Sequence, residues 1–281
     1  MITLGPARWQ DFPDSSRRAF DPGYHEFLGD LVRPHGLPLR PDAGGGQSYG
    51  EMLASLIGDL VPPEQPADAL ILGFAMPDLS PGRATATYLS HVCPGNPVAF
   101  AICDQGCAAG FTALRLTRDY AADGGWRRVL VAVAEQARLD YDPPAPASVP
   151  TGHAAFAMLC DAMPAPADVR RTGAAAPRLH AVRVCPGVPA DQVSATLVRE
   201  LAALPATDMN STLVLGEGMA SLAGDGVPGW QTMFALPGHP TTGLWRELAA
   251  WVAAPGGGRF AMADYDSALR YMCLAVFAKE A

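Results

Sequence analysis

Short, uninterrupted apolar runs alternate along this chain with stretches whose apolar residues return every three to four positions. The first kind reads as strands buried on both faces, the second as amphipathic helices. Strands are predicted over Ala69–Phe74, Pro97–Cys103, Arg128–Glu135, Ala154–Cys160, Leu179–Val184, Ser211–Leu215 and Arg259–Ala263, the last leading into an apolar stretch through Phe277. Met52, Leu53, Leu56, Ile57 and Leu60 mark a helix stopped by Pro62-Pro63. Further helices are predicted over Arg83–Cys93, Cys107–Ala122, Asp191–Leu204 and Thr241–Val252. Residues 1–47, rich in Pro, Gly and Arg and ending near the linker Gly44-Gly45-Gly46, read as strand-poor and loop-rich. Pro143–Pro150 reads as a loop and Pro164–Ala176 as a surface connection.

Strands alternating with helices predict an α/β layered fold with a largely parallel sheet. The second half repeats the rhythm of the first, which suggests an internal duplication, with halves at 1–160 and 161–281. The length of 281 residues suits one large domain or two closely packed halves. Hydrophobic residues make up 49% and charged residues 17%, so a large core is expected and disorder is not.

A net charge of −8 argues against nucleic acid or an anionic membrane as the main partner. Met1–Gln10 carries Pro6, Arg8 and Trp9 where a secretory signal needs an apolar stretch, and no apolar run approaches the ~18 residues of a membrane span. The six cysteines form no Cys-x-x-Cys pair, so a zinc site is not expected and a reducing cytoplasm fits. No cofactor or metal is implied.

Candidate chemistry centres on Gly106-Cys107-Ala108-Ala109-Gly110-Phe111, where a buried strand hands over to a helix. Small residues on both sides let the backbone pack tightly and leave the sulfur reachable. Unpaired N–H groups and the dipole at a helix start favour a thiolate, the nucleophilic form. A buried structural cysteine is the other reading, and the residues alone leave both open. His239, in Pro237-Gly238-His239-Pro240, is either a catalytic base or the cap of the following helix. Glu217 either orients His239 or is a solvated loop residue, with the latter expected. His153 is expected to pack or hydrogen-bond, Cys103 and Cys160 to lie in the core, and Asp264 and Asp266 to form a polar turn rather than a metal pair.

Four segments resemble the thiolase superfamily, in particular its ketoacyl-ACP synthase III branch. They are Asp68-Ala69-Leu70-Ile71-Leu72-Gly73, Cys103 through Phe111, Arg128 through Glu135, and Gly152-His153-Ala154-Ala155-Phe156-Ala157. The resemblance runs from about residue 50 to 277. It implies two duplicated α/β halves in an αβαβα arrangement and a dimer formed through the strand and helix beside the nucleophile. It also implies Cys107 as the nucleophile, acylated from acyl-CoA or an acyl-carrier protein, with His239 at the position of the family's Asn.

The family's catalytic His would fall at Gly216-Glu217-Gly218, where there is none, which leaves Glu217 as a supporting group. Its glycine-rich loop aligns with Asp264-Tyr265-Asp266-Ser267-Ala268, which has no glycine. The expectation is therefore acyl transfer from Cys107 to an acceptor in specialised biosynthesis, polyketide or related, rather than decarboxylative condensation. The alternatives are a non-catalytic subunit paired with an active thiolase-fold partner, and a cysteine hydrolase. The dimer is a homodimer or a heterodimer accordingly.

Overall fold

The computed structural model describes residues 2–14, 22–40, 45–79, 84–143, 148–162, 176–205, 207, 209–222 and 226–280. Gly44, most of the Pro164–Ala176 connection and the middle of the Pro143–Pro150 loop lie outside these residues.

The first half runs β1 (Ile2–Phe12), α1 (Pro22–Val32), α2 (Tyr49–Leu60), β2 (Ala69–Gly73), α3 (Thr85–Val92), β3 (Val98–Ile102), α4 (Ala108–Ala122), β4 (Arg128–Glu135) and β5 (His153–Ala162). The second runs β6 (Arg178–Cys185), α5 (Val193–Ala202), β7 (Ser211–Leu215), β8 (Gln231–Phe234), α6 (Gly243–Ala253), β9 (Gly258–Asp266) and β10 (Tyr271–Lys279). Strand order is β3-β2-β4-β5-β1-β6-β10-β9-β7-β8. Read inward from either edge, the two halves match strand for strand once five is added to each number of the first. The internal duplication is thus visible in the topology. The halves meet through β1 and β6, which pair at Ile2–Leu179 and Thr3–Arg178.

The sheet is mixed rather than largely parallel. β2 is parallel to β3 and β4, and β7 to β8 and β9, while the remaining neighbours are antiparallel. α3 joins the parallel pair β2–β3, whereas β4–β5 and β9–β10 follow each other directly and run antiparallel.

Three apolar clusters correspond to three helix layers. α2 and α3 cover one outer face, α5 the other, and α4 and α6 lie between the two halves of the sheet. Strand periodicity explains the uninterrupted apolar runs. In β4, Val129, Val131 and Val133 enter the central layer, while Leu130, Ala132 and Ala134 face α2 and α3. Close approach explains the small residues at the start of α4. A Cβ on Gly110 would run into the Trp245 ring of α6, and one on Gly73 would meet the backbone of Ala109 and Gly110. α2 opens with a capping box, in which Ser48 and Glu51 satisfy each other's backbone N–H groups.

The main correction concerns residues 1–47, which were expected to be strand-poor. Residues 2–12 form β1, an internal strand paired with β5 over most of its length. Gly5-Pro6 hides it in the sequence. The register shifts between Leu4 and Ala7, and this bulge accommodates a proline that has no N–H to donate to the ladder. The short edge strand β8, with its polar Gln231-Thr232, was also unforeseen.

Candidate active site

The parity of the strands determines which side chains reach the middle layer. On β9, Phe260 and Met262 face it, so Asp264 and Asp266 follow on the same side. On β4, the parity of Val129, Val131 and Val133 brings Glu135 there, and on β10 it brings Cys273. The N-termini of α4 and α6 open at this end. A reciprocal arrangement results: Glu135, last in β4 of the first half, caps α6 of the second, while Asp264 and Asp266, closing β9 of the second half, stand at the start of α4 in the first.

At α6 the carboxylate is saturated. Glu135 is 1% exposed and accepts from Thr241 N (2.8 Å), Thr242 N (3.2 Å), Thr242 Oγ1 (2.6 Å) and His239 Nδ1 (2.7 Å). Trp9 Nε1 donates to Thr242 Oγ1 at 3.1 Å, and its ring meets His239 edge-on. The second nitrogen of His239 lies 3.5 Å from Asp11. The hydrogen bond to Glu135 raises the His239 pKa above the ordinary imidazole value, against the opposing effect of burial.

At α4 a chamber of about 420 Å³ opens, lined by Cys107, Asp104, Glu217, Asp264 and Asp266, with Pro240 and Thr241 in its wall. Cys107 caps α4 and is half-buried. Its backbone N–H has no acceptor among the described residues. Asp264 is 3% exposed; its Oδ1 accepts from Gly218 N at 3.1 Å and Tyr265 N at 2.8 Å. Oδ2 meets no donor among the described residues. Burial pushes the Asp264 pKa up to about 7, reinforced by Glu217 and Asp266. Glu217 accepts from Gly238 N, which ties its turn to the loop that carries His239. Gly106, at φ +52°, has no room for a side chain, because a Cβ there would coincide with the Asp266 carboxylate.

The structure brings Cys107 and Glu217 into one chamber. His239 is outside the set of residues lining it, and its imidazole is engaged by Glu135, Trp9 and Asp11. The expected helix-start effect on the thiol is outweighed. Contact with the Cys273 thiol, burial, and the charges of Asp264 and Asp266 push the Cys107 pKa well above its usual value. Glu217 is half-buried and hydrogen-bonded, not a solvated loop residue. Cys103 is exposed, whereas Cys160 is in the core as expected. His153 is buried and hydrogen-bonds Asp14 at 2.8 Å. Asp264 and Asp266 belong to β9, and the turn begins only at Ser267.

Two groups were missed. Glu135 passed as the end of a strand, although a carboxylate closing so apolar a run was a signal that it has buried partners. Asp264 and Asp266 were assigned to a turn, although their two-residue spacing placed both on one strand face.

No family profile matches the sequence, and no curated protein matches it. Solved structures do. AbyA1, a tetronic acid condensing enzyme, aligns with a TM-score of 0.65 at 16% identity over the full length of both chains. Xanthomonas campestris OleA, in a structure with lauric acid and lauroyl-CoA, aligns with a TM-score of 0.63 at 13% identity, covering 99% of this chain and 98% of that one. The 3-oxoacyl-(acyl carrier protein) synthase III of Pseudomonas aeruginosa PAO1 aligns at 0.60 and 13%, with the same coverage. The protein has the thiolase fold. Its strand order and αβαβα layering follow from that fold, and the Cys107 chamber lies where its two halves face each other. Among the described residues of this thiolase-fold chain, no helix is long and apolar enough to cross a membrane, and no group of His, Cys, Asp and Glu could hold a metal ion.

Proposed function

We propose that the protein is a thioester-dependent acyltransferase in which Cys107 accepts an acyl group from acyl-CoA or an acyl-carrier protein and passes it to an acceptor. The observation that carries this reading is the half-buried Cys107 thiol at the start of α4, opening on the 420 Å³ chamber beside a carboxyl whose pKa lies near 7. Cys107 Sγ attacks the thioester carbonyl and its proton passes to Asp264. The Cys107 N–H supports the oxyanion, and the departing thiolate takes the proton back as its C–S bond breaks. An acid with a pKa near the working pH suits this two-way transfer. His239 serves as a positioning residue that, with Glu135, holds Pro240 and Thr241 in the chamber wall. The likeness to AbyA1, a tetronic acid condensing enzyme, and to ChlB3, described as an acyltransferase, supports acyl-transfer chemistry on this fold, and we place the reaction in specialised biosynthesis.

The raised Cys107 pKa favours one second reading, a non-catalytic subunit working beside an active thiolase-fold partner. Either reading expects a dimer through β3 and α4. Among the described residues no strand pairs with the outer edge of β3, where Val98 is 61% exposed and Phe100 lies beside the stacked Tyr120–Trp126 pair.

Intact-protein mass spectrometry after incubation with acyl-CoA and acyl-carrier thioesters tests the assignment. An acyl adduct that persists in His239→Ala and disappears in Cys107→Ala supports it. A folded protein with no adduct from any donor overturns it in favour of the non-catalytic subunit.

A further inference from the structure

One ring closes the space behind Cys107. Cys107 and Thr241, which line the chamber, stand at the entries to α4 and α6, and the way inward from them runs between those two helices. Gly110 lies three residues after Cys107 and so on the same face of α4. There the Trp245 ring of α6 rests on it so closely that a Cβ at position 110 would overlap Cζ2. Trp245 is 1% exposed and is braced by two further rings, Phe111 edge-on at 5.8 Å between centroids and Phe156 tilted at 5.1 Å. Its backbone is fixed as well: Thr242, whose N–H and hydroxyl bond Glu135, accepts from Trp245 N at 3.0 Å. An acyl chain directed inward from Cys107 therefore meets packed aromatic carbon within about one helical turn.

The rest of the chamber gives a long chain no better course. Its volume of about 420 Å³ lies near the low end of the roughly 300–1,000 Å³ usual for small-molecule pockets, and it must hold the thioester arm too. Asp104, Glu217, Asp264 and Asp266 are in its walls, so an alkyl chain folded back would cover carboxylates that it cannot pair.

We infer that Trp245 sets the upper length of the acyl group: Cys107 takes short acyl groups, acetyl to butanoyl, and the ring excludes octanoyl and longer ones. This rests on the reading of Cys107 as the acyl-carrying thiol and names the class of donor. Trp245 is a specificity-determining residue with no part in the chemistry, which is the same for every chain length. The carbonyl carbon bonds to Cys107 Sγ as its bond to the CoA sulfur breaks, and the thiol proton leaves with CoA. Shortening the ring would open a slot lined by Gly110, Phe111 and Phe156, an apolar surface suited to methylene groups.

The test follows acylation by intact-protein mass spectrometry with acetyl-, butanoyl-, hexanoyl-, octanoyl- and dodecanoyl-CoA. Wild type is compared with Trp245→Leu, Trp245→Phe and Phe156→Leu. Wild type should be acylated at least about tenfold faster by butanoyl- than by octanoyl-CoA, since a single methylene in an apolar pocket is worth about 10–200-fold. Trp245→Leu should narrow that ratio roughly tenfold or more, and Trp245→Phe roughly threefold or more. Trp245→Phe keeps an aromatic ring between Phe111 and Phe156, so the test stands even if Trp245→Leu does not fold. Phe156→Leu thins the same packing but leaves the ring on Gly110, and should keep the wild-type ratio; this separates the plug from general loosening of the core.

Octanoyl-CoA that acylates wild type as fast as butanoyl-CoA overturns the inference and leaves Cys107 as the acyl carrier. An unchanged ratio in the folded Trp245 variants does the same, as does an equal narrowing in Phe156→Leu. No adduct from any donor removes the acyl-carrier reading and the inference together.

Discussion

Replacing Asp264 by asparagine should make the protein more stable at neutral and alkaline pH. The side chain keeps its shape, and its Oδ1 can still accept from Gly218 N and Tyr265 N. What changes is the charge. Burial, with Glu217 and Asp266 nearby, raises the Asp264 pKa from 3.8 to about 7. The folded protein thus binds this proton more tightly than the unfolded chain does. The resulting stability is fully present below about pH 4, falls as pH rises, and is lost once pH passes about 7. At roughly 1.4 kcal/mol per pH unit, the loss approaches about 4 kcal/mol. The amide of the variant cannot ionise and avoids this loss. The assay is urea denaturation of wild type and Asp264→Asn at pH 4.5, 6, 7 and 8.5. The variant should gain up to about 4 kcal/mol at pH 8.5, or on the order of 10 °C in Tm, and little at pH 4.5. The gain should be accompanied by loss of acyl transfer, the pattern of a residue kept for function at the expense of stability. Equal stability differences at all four pH values would refute the reasoning, because they would show that Asp264 does not titrate differently in the two states.

Glu135→Gln places an amide N–H₂ against donors that now meet a carboxylate, and should destabilise the protein by about 2–4 kcal/mol in thermal or chemical denaturation. In wild type the raised His239 pKa gives stability that is present below about pH 6.5 and declines as pH rises through the folded value; Glu135→Gln should remove that slope. Gly106→Ala combines a strained φ of +52° with a methyl group where the Asp266 carboxylate stands, and should cost about 1–3 kcal/mol in denaturation while lowering the rate of Cys107 acylation. Val98→Arg, on the outer edge of β3, should shift the sedimentation profile from dimer to monomer with the fold intact by circular dichroism.

The fold was legible because strands buried on both faces leave an unmistakable record. Ala69–Phe74 and Arg128–Glu135 have no polar alternation, since helices lie on either side of them. β1 left no such record: Gly5-Pro6 interrupts it, and its outer residues are half-exposed. The candidate site was legible at Cys107, where the surrounding small residues announced close packing. It was not legible at Asp264, whose position depends on the parity of β9 and on a partner helix more than 140 residues away. His239 was visible as a residue, but its neighbours were not. Glu135, which holds its ring, lies 104 positions earlier in the chain.

The order of pairing in each half has a consequence for synthesis. β1 is made well before its partner β5, the last strand of its half: Phe12 aligns with His153 and Ile2 with Ala162. At ribosomal speeds of ~5–20 residues per second, Ile2 and Leu4 wait roughly 10–30 s before the strand that shields them has been translated. Throughout that interval the nascent chain displays an unpaired strand with an apolar side. Output of native protein should therefore depend on translation speed and on holding chaperones more than its equilibrium stability would suggest.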